Sequence, residues 1–540
     1  MLLYILVLAT FILQGLEISA FMGMTGMTRR EIASVSLSMV ASVDVAPCSP
    51  LVSDTAQILC ITSEESVSPY LTKPFDTQVK WHELLKHVSM RATWESKNGR
   101  FDATNGDLEI DVKTVEALQA SKDPISPPIL VLVGMRGPTE ESFVREYLAS
   151  RGDRIKAICS VDCSAEIEAM EKYGAYAGDG AASFLEDSIG SLFKTQAYMN
   201  KSSRELVKTL FARQSVEDTL FAMLVLINDF TSYFIKSVQA ATSSDRTGIE
   251  ELRCMCTKCS KEMIDCVGNP ECKKALDCLD KCKANDQVCS YKCITSYETK
   301  AFEAFALCIL QRNNCMKNSA SIPVVPNPLP MTTFRGSALT HETAEDLFIG
   351  HLSPRPGEAN PLLPEGADTV PWSWKVVAGV NPAYDYFSDQ HQIFYRDENR
   401  PKNVFWYDPV FKVITLEDEE VWRRRHYRVR RRKDSGPGTF SFTVLDNGVL
   451  SDEFWRILDV ADDLSWAVFY YSGAASAAGT SYSGALVCTR DGYWPDLAGP
   501  EDPNYKRISR ALASSGITMY ELYGVTQSES HASPPPLGVK

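Results

Sequence analysis

Eleven of the 16 cysteines in this 540-residue chain lie between Cys254 and Cys315. A cluster of that density either binds metal or staples a fold. A zinc site could start from Cys254, Cys256 and Cys259, but no second CxxC pair follows and the block contains no histidine. No metal is expected. Cys278 and Cys282 are four apart, as are Cys289 and Cys293, so each pair lies along one face of a helix. An antiparallel helical hairpin would join Cys278 to Cys293 and Cys282 to Cys289. Eleven is odd, so at least one thiol stays free.

Other stretches could also carry chemistry. "DNGVLSDEFWRIL" places Asp452 and Glu453 beside a turn, just ahead of Trp455. Exposed acids are usual at turns, and an acid catalyst would need burial or low pH to keep its proton. "RRRHYRVRRRK" (Arg423 to Lys433) reads as a solvated strand and turn, and it also suits an anionic membrane surface. "PPILVLVGMRGP" and the following "TEESFVREYLASRG" read as a buried strand, a turn and an amphipathic helix. Gly134 and Gly137 give GxxG there, but Glu140 stands where a dinucleotide-binding loop has its third glycine. Its charge would repel a pyrophosphate, which argues against NAD(P).

These residues need elements to position them. The composition, 44% hydrophobic and 23% charged, is that of a globular protein, and a net charge of −14 counts against nucleic acid as a partner. Residues 1–20, "MLLYILVLATFILQGLEISA", read as a signal peptide, and 21–70, Ser-rich and poor in acids, as a transit segment. Arg29-Arg30 within it reads as a lumen-targeting signal. Then come an α/β domain (75–250), a cysteine-rich module (251–318) and a Pro-rich linker (319–369). Residues 370–523 hold eight short alternating runs, from "WSWKVVAGV" to "GALVCTR", and then a helical pattern; they predict an up-and-down barrel with a C-terminal helix. The tail, 524–540, is expected to be disordered. The fold class is multidomain α+β: an N-terminal α/β region, a disulfide-rich helical module and a C-terminal antiparallel β-barrel.

The cysteine block resembles that of the violaxanthin de-epoxidase family, including its de-epoxidase-like and de-epoxidase-related branches. It opens with CxC, continues with "NPEC" and "CLDKC", and closes on Cys308 and Cys315. The resemblance implies nested local pairing: Cys256–Cys272, Cys259–Cys266, Cys278–Cys293, Cys282–Cys289 and Cys308–Cys315, with Cys254 as the free thiol. It runs on through the barrel, covers about half the chain, and implies a lipocalin. "WSWKVVAGVNPAYDYF" matches the lipocalin opening, with Trp374 plugging the base.

The resemblance also implies a chemistry: acid-catalysed opening of a xanthophyll epoxide, with ascorbate as reductant and no metal. The family's catalytic carboxylate aligns with Glu453, or with Asp452 if a gap is allowed, ahead of Trp455. Tyr471 in "FYYSG" and Asp385 in "NPAYDYF" match further active-site positions. Trp455, Tyr482, His391 and Gln392 are the expected substrate-binding residues. The family's two strand histidines are replaced by Gln392 and Tyr395, with His391 one place off, and a later barrel histidine aligns with Leu445. The alternative is a xanthophyll-binding lipocalin of the de-epoxidase-related branch that has lost catalysis. The junction "EISA–FMG" resembles presequences for complex plastids, which implies a plastid protein, bound for the thylakoid lumen by the arginine pair. A membrane lipid surface is a further expected contact.

Overall fold

The computed structural model describes residues 58–101, 108–121, 127–174, 196–231, 235, 238, 249–282, 286–350, 374–396, 404–432 and 435–527. The expected signal peptide, residues 21–57 of the transit segment, 351–369 of the linker and 528–540 of the tail lie outside them. Among the described residues no helix is long and apolar enough to cross a membrane.

The N-terminal layer begins earlier than the sequence suggests. Ile58–Thr62 (β1) is buried at every position and lies inside the stretch read as transit segment. A hairpin, Val67–Thr72 (β2) and Thr77–Lys80 (β3), leads into Trp81–Lys97 (α1). Next come Ile110–Thr114 (β4), Val115–Ala120 (α2), Ile129–Val133 (β5), Pro138–Arg151 (α3), Ala157–Val161 (β6), Ala165–Glu168 (α4) and Lys172–Tyr173 (β7). Gln196–Phe211 (α5) and Val216–Phe230 (α6) complete the layer. The sheet order is β4-β1-β5-β6-β7, parallel except for β7. The strand "ILVLV" is apolar throughout because helices cover both faces: α1, α5 and α6 pack on one side, α2, α3 and α4 on the other.

The cysteine module is a set of short helices, Ile249–Lys258 (α7), Ser260–Gly268 (α8), Pro270–Leu279 (α9), Gln287–Ser296 (α10) and Lys300–Ala306 (α11). Asn269 caps α9 and Pro270 takes its first position. Cys278 is bonded to Cys293 and Cys282 to Cys289, which staples α9 to α10. The other bonds correct the nested scheme. Cys254 pairs with Cys315, Cys259 with Cys308 and Cys266 with Cys272, in place of Cys256–Cys272, Cys259–Cys266 and Cys308–Cys315. The reason is tertiary: α7 packs against the turn Leu307–Arg312 that ends the module, so the first cysteines meet the last. Two positions along a helix is about 200° of rotation, so turning Cys254 toward Cys315 turns Cys256 away. Cys256, not Cys254, is therefore the free thiol of the block. Iodoacetamide applied to native protein should label Cys256, and a non-reducing peptide map should show Cys254 joined to Cys315.

Residues 319–350 are not a bare linker. They run along the barrel wall, form a small hairpin, Thr333–Phe334 (β8) and Ser337–Ala338 (β9), and end in His341–Ile349 (α12). The barrel strands are Trp374–Gly379 (β10), Ser388–Tyr395 (β11), Val404–Ile414 (β12), Glu420–Arg424 (β13), Tyr427–Arg431 (β14), Thr439–Asp446 (β15), Val449–Val460 (β16), Trp466–Ala475 (β17) and Thr480–Thr489 (β18). β13 and β14 pair with successive halves of β12, and β18 returns to β10, closing an eight-stranded antiparallel barrel. Pro503–Ala513 (α13) lays Tyr505, Ile508 and Leu512 on its outer wall, and Tyr523–Gly524 (β19) adds to β10.

One end of the barrel is shut. Phe348 of α12 enters the lumen and stacks 4.9 Å from Phe469, while the Trp374 indole donates to the Leu347 carbonyl at 2.9 Å. Beyond this plug the lumen is aromatic, with Phe442 stacked 4.8 Å from Trp455.

Candidate active site at the barrel mouth

Strand alternation decides which polar residues face the lumen. On β16, Glu453, Trp455 and Ile457 point inward, so Asp452 points out; it is exposed and accepts from the Thr443 hydroxyl at 2.7 Å. Glu453 is 6% exposed despite its place beside a turn. Trp455 Nε1 donates to its Oε2 at 2.5 Å, and the Tyr482 and Tyr427 hydroxyls donate to its Oε1 at 2.8 and 3.2 Å. Burial drives the Glu453 carboxyl above its usual range, the Asp446 charge adds to this, and the three donors oppose it.

A second acid shares the site. Asp385 takes the amides of Val380 and Asn381 on Oδ2, at 3.1 and 2.8 Å, closing the turn after β10. Its Oδ1 accepts from the Tyr471 hydroxyl at 2.7 Å. Burial pushes Asp385 up to about 7; the Tyr471 hydroxyl and the amides pull it down, and the Glu453 charge raises it. Both acids line one cavity of about 1300 Å³, with Tyr384, Tyr407, Tyr427, Trp455, Tyr471 and Tyr482 around them.

Glycines make the room. Gly473 lies between Glu453 and Tyr482 across the strands, and a Cβ on it would sit 2.6 Å from the Tyr482 ring. A Cβ on Gly484 would sit 2.4 Å from the Tyr471 hydroxyl and 2.9 Å from Asp385. Gly484→Ala should cost ~1–3 kcal/mol of stability by overpacking. Gly268→Ala, where nothing among the described residues lies within 4 Å, should cost nothing comparable; urea unfolding of both variants checks this.

A family model described as the VDE lipocalin domain matches residues 251–517. That stretch belongs to the violaxanthin de-epoxidase family. Three curated proteins named "Violaxanthin de-epoxidase, chloroplastic" are similar to the chain. The one from Nicotiana tabacum is 23% identical over 273 residues, 50% of this chain and 50% of that protein. The one from Spinacia oleracea is 23% identical over 291 residues, 53% and 52% of the two chains, and the one from Arabidopsis thaliana 24% over 255 residues, 46% and 47%. The chain spans about half the length of the curated relatives it matches. The α/β layer lies outside the family match.

In this de-epoxidase-type domain the structure gathers Glu453, Trp455, Tyr471, Asp385 and Tyr482, and separates two other expected residues from them. Asp452 faces outward. His391 is buried on the outer wall beside Lys375, 6.2 Å from the Trp422 ring; burial and Lys375 lower it to about 4. Its neighbour Gln392 does face the lumen and accepts from the Tyr407 hydroxyl, while its Nε2 has no partner among the described residues. Tyr395 donates to Asp408 at 3.0 Å, and Leu445 is exposed. Tyr427 and Tyr384 were not anticipated. Tyr427 lies in the basic run, where exposed Arg428 and Arg430 alternate with Tyr427, Val429 and Arg431; that period of two was the available signal.

The basic run is largely spent inside the molecule. Arg423 and Arg425 pair with Glu298 of the cysteine module, Arg424 with Asp408, and Arg431 with Glu342 and Glu345 of the plug helix. The sulfurs of Cys282, Cys289 and Cys293 lie close together, but all three are in disulfides and present no thiolate to a metal. A Cβ on Gly137 would meet the Glu140 carboxylate, which folds back over the first turn of α3.

Proposed function

We propose that the protein opens the epoxide of a xanthophyll by acid catalysis, with Glu453 delivering the proton. The observation that carries this reading is a carboxyl buried in an aromatic barrel and held above its usual pKa at the mouth of a cavity. A protonated Glu453 gives its proton to the epoxide oxygen as the C–O bond next to the polyene breaks. The positive charge spreads along the polyene, so a carboxylic acid is strong enough. The carboxylate left behind is the form that the Trp455, Tyr482 and Tyr427 donors favour. Before transfer, a tyrosine hydroxyl can turn to accept the acid's proton. Asp385 positions Tyr471 and holds a second proton close by.

Two outcomes follow from the same cation. In reductive de-epoxidation, ascorbate supplies two electrons, water leaves and the alkene forms. In isomerisation, a proton leaves the neighbouring polyene carbon and no reductant is consumed. The match to chloroplastic de-epoxidases supports a plastid location, and the arginine pair supports the lumen. A second reading, a pigment-binding lipocalin without turnover, draws on Gln392, Tyr395 and Leu445 standing where the family has histidines.

The test is to incubate oxidised protein with violaxanthin in lipid at pH 5 and pH 7, with and without ascorbate, and to separate the pigments by chromatography. Ascorbate-dependent loss of the epoxide supports reduction, and an isomer formed without ascorbate supports isomerisation. Bound but unchanged pigment removes the enzyme reading.

A further inference from the structure

The cavity does not end with the barrel. Its walls continue onto the N-terminal layer, where Phe101 and the α6 residues Leu220, Phe221 and Leu224 face it, and onto the irregular segment that carries Ile322 and Val324. Leu224 lies four residues after Leu220 and three after Phe221, so it neighbours both on the helix surface. Val324 is 68% exposed, an apolar side chain left open on a wall that also carries Arg213, Glu217 and Asp218. At about 1300 Å³ the space exceeds the ~300–1,000 Å³ of ordinary small-ligand pockets.

The closed base fixes how a long ligand must lie. Phe348 and Trp374 fill the far end of the lumen, so nothing can thread through the barrel. A rod with a ring at each end can bury one end beside Glu453 and Asp385 only by projecting the other out of the mouth. The surfaces that line the cavity there are α6, the 322–324 segment and the cysteine module, with Val288, Ile294 and Leu310. Arg213 holds this surface in place: it pairs with Asp286 of the cysteine module, and Tyr523 after the barrel donates to the Gln214 carbonyl at 2.9 Å.

We propose that the N-terminal α/β layer forms the outer half of the binding site, holding the distal half of a long, two-ringed polyene whose reactive ring lies in the barrel. The inference rests on the barrel being a xanthophyll site. It gives the layer outside the family match a role as a measure of ligand length, so that two-ringed pigments bind more tightly than one-ringed fragments.

The test compares affinity for violaxanthin with affinity for a half-length, one-ringed epoxy-apocarotenoid, followed by pigment absorbance. Phe221→Ser should weaken violaxanthin binding ~10-fold and Val324→Asp by several-fold, with the short ligand unchanged in both. Val324 is exposed, so that variant does not threaten folding. Hydroxyl-radical footprinting of the unaltered protein should show Phe221 protected by violaxanthin and not by the fragment. Equal loss for both ligands, no loss for either, or equal affinity of the unaltered protein for both overturns the inference while the barrel reading stands. If the unaltered protein binds neither, the barrel reading falls and this one with it.

Discussion

Glu453→Gln should bind a xanthophyll epoxide as the parent does and turn it over ~10²–10⁴-fold more slowly, the usual share of a general acid. The amide keeps the shape and its oxygen can still accept from Tyr482 and Tyr427, but its NH2 then faces the Trp455 N–H. Pigment affinity is therefore measured beside turnover, to separate the lost proton from that contact. Asp452→Asn should leave turnover within a factor of about two, because surface changes away from a site rarely matter. The pair of variants separates the two acids that the sequence left adjacent. Turnover should also fall with rising pH. Asp385, raised to about 7, loses its proton through neutrality, and each new negative charge raises the cost of the other. The sign for stability is the same: a raised carboxyl binds more protons folded than unfolded, so its contribution is present below about pH 4 and is lost as pH climbs through about 7. Steady-state rates and urea midpoints from pH 4 to pH 8 check both.

Arg91→Met should destabilise the protein by ~3–5 kcal/mol, the usual cost of removing one partner from a buried ion pair. Arg91 is 2% exposed and bonds Glu95 of its own helix, Glu217 of α6 and Glu521 beyond the barrel. Arg100 adds bonds to Glu95 and Glu217, and His87 lies 2.9 Å from Glu521. This network is the buried polar joint between the N-terminal layer and the barrel. Methionine fills the volume but leaves three carboxylates facing one another. Burial pushes Glu217 up, but Arg91 and Arg100 outweigh it and hold that carboxyl well below its usual 4.5. Its contribution to stability is therefore present above about pH 4.5 and is lost as pH falls further, and the variant, which keeps only Arg100 beside Glu217, should show a weaker acid dependence. Chemical denaturation at pH 7 and pH 3 measures both effects.

How much of this could be read in advance depends on what competed with each signal. The β5–α3–β6 unit was legible because its strand is uniformly apolar and its helix ends on Gly152. β1 was not, because "ILCIT" is short and follows a Ser-rich stretch that reads as a targeting segment. Eight barrel runs were counted and eight strands exist, but not the same eight. "NVFWYD" and "FKVITLE" are one strand, β12, interrupted in sequence by Pro409. That proline lies where β13 gives way to β14, and its carbonyl accepts from the Arg425 amide at 3.1 Å. The missing strand is the basic run, whose charges disguised its alternation and hid Tyr427. Local cysteine spacing predicted the α9–α10 staples, but the long-range bonds of Cys254 and Cys259 depend on where the module's two ends meet. Glu453 looked exposed from its turn, and only strand parity turns it inward.

The most direct measurement is the infrared carboxyl band of a protonated glutamic acid. Asp385 also holds a proton at about pH 5, so difference spectra are needed: the parent minus Glu453→Gln should show a protonated C=O stretch, and the parent minus Asp452→Asn should not. If that stretch is missing from the parent minus Glu453→Gln difference, Glu453 does not hold the proton that this mechanism requires.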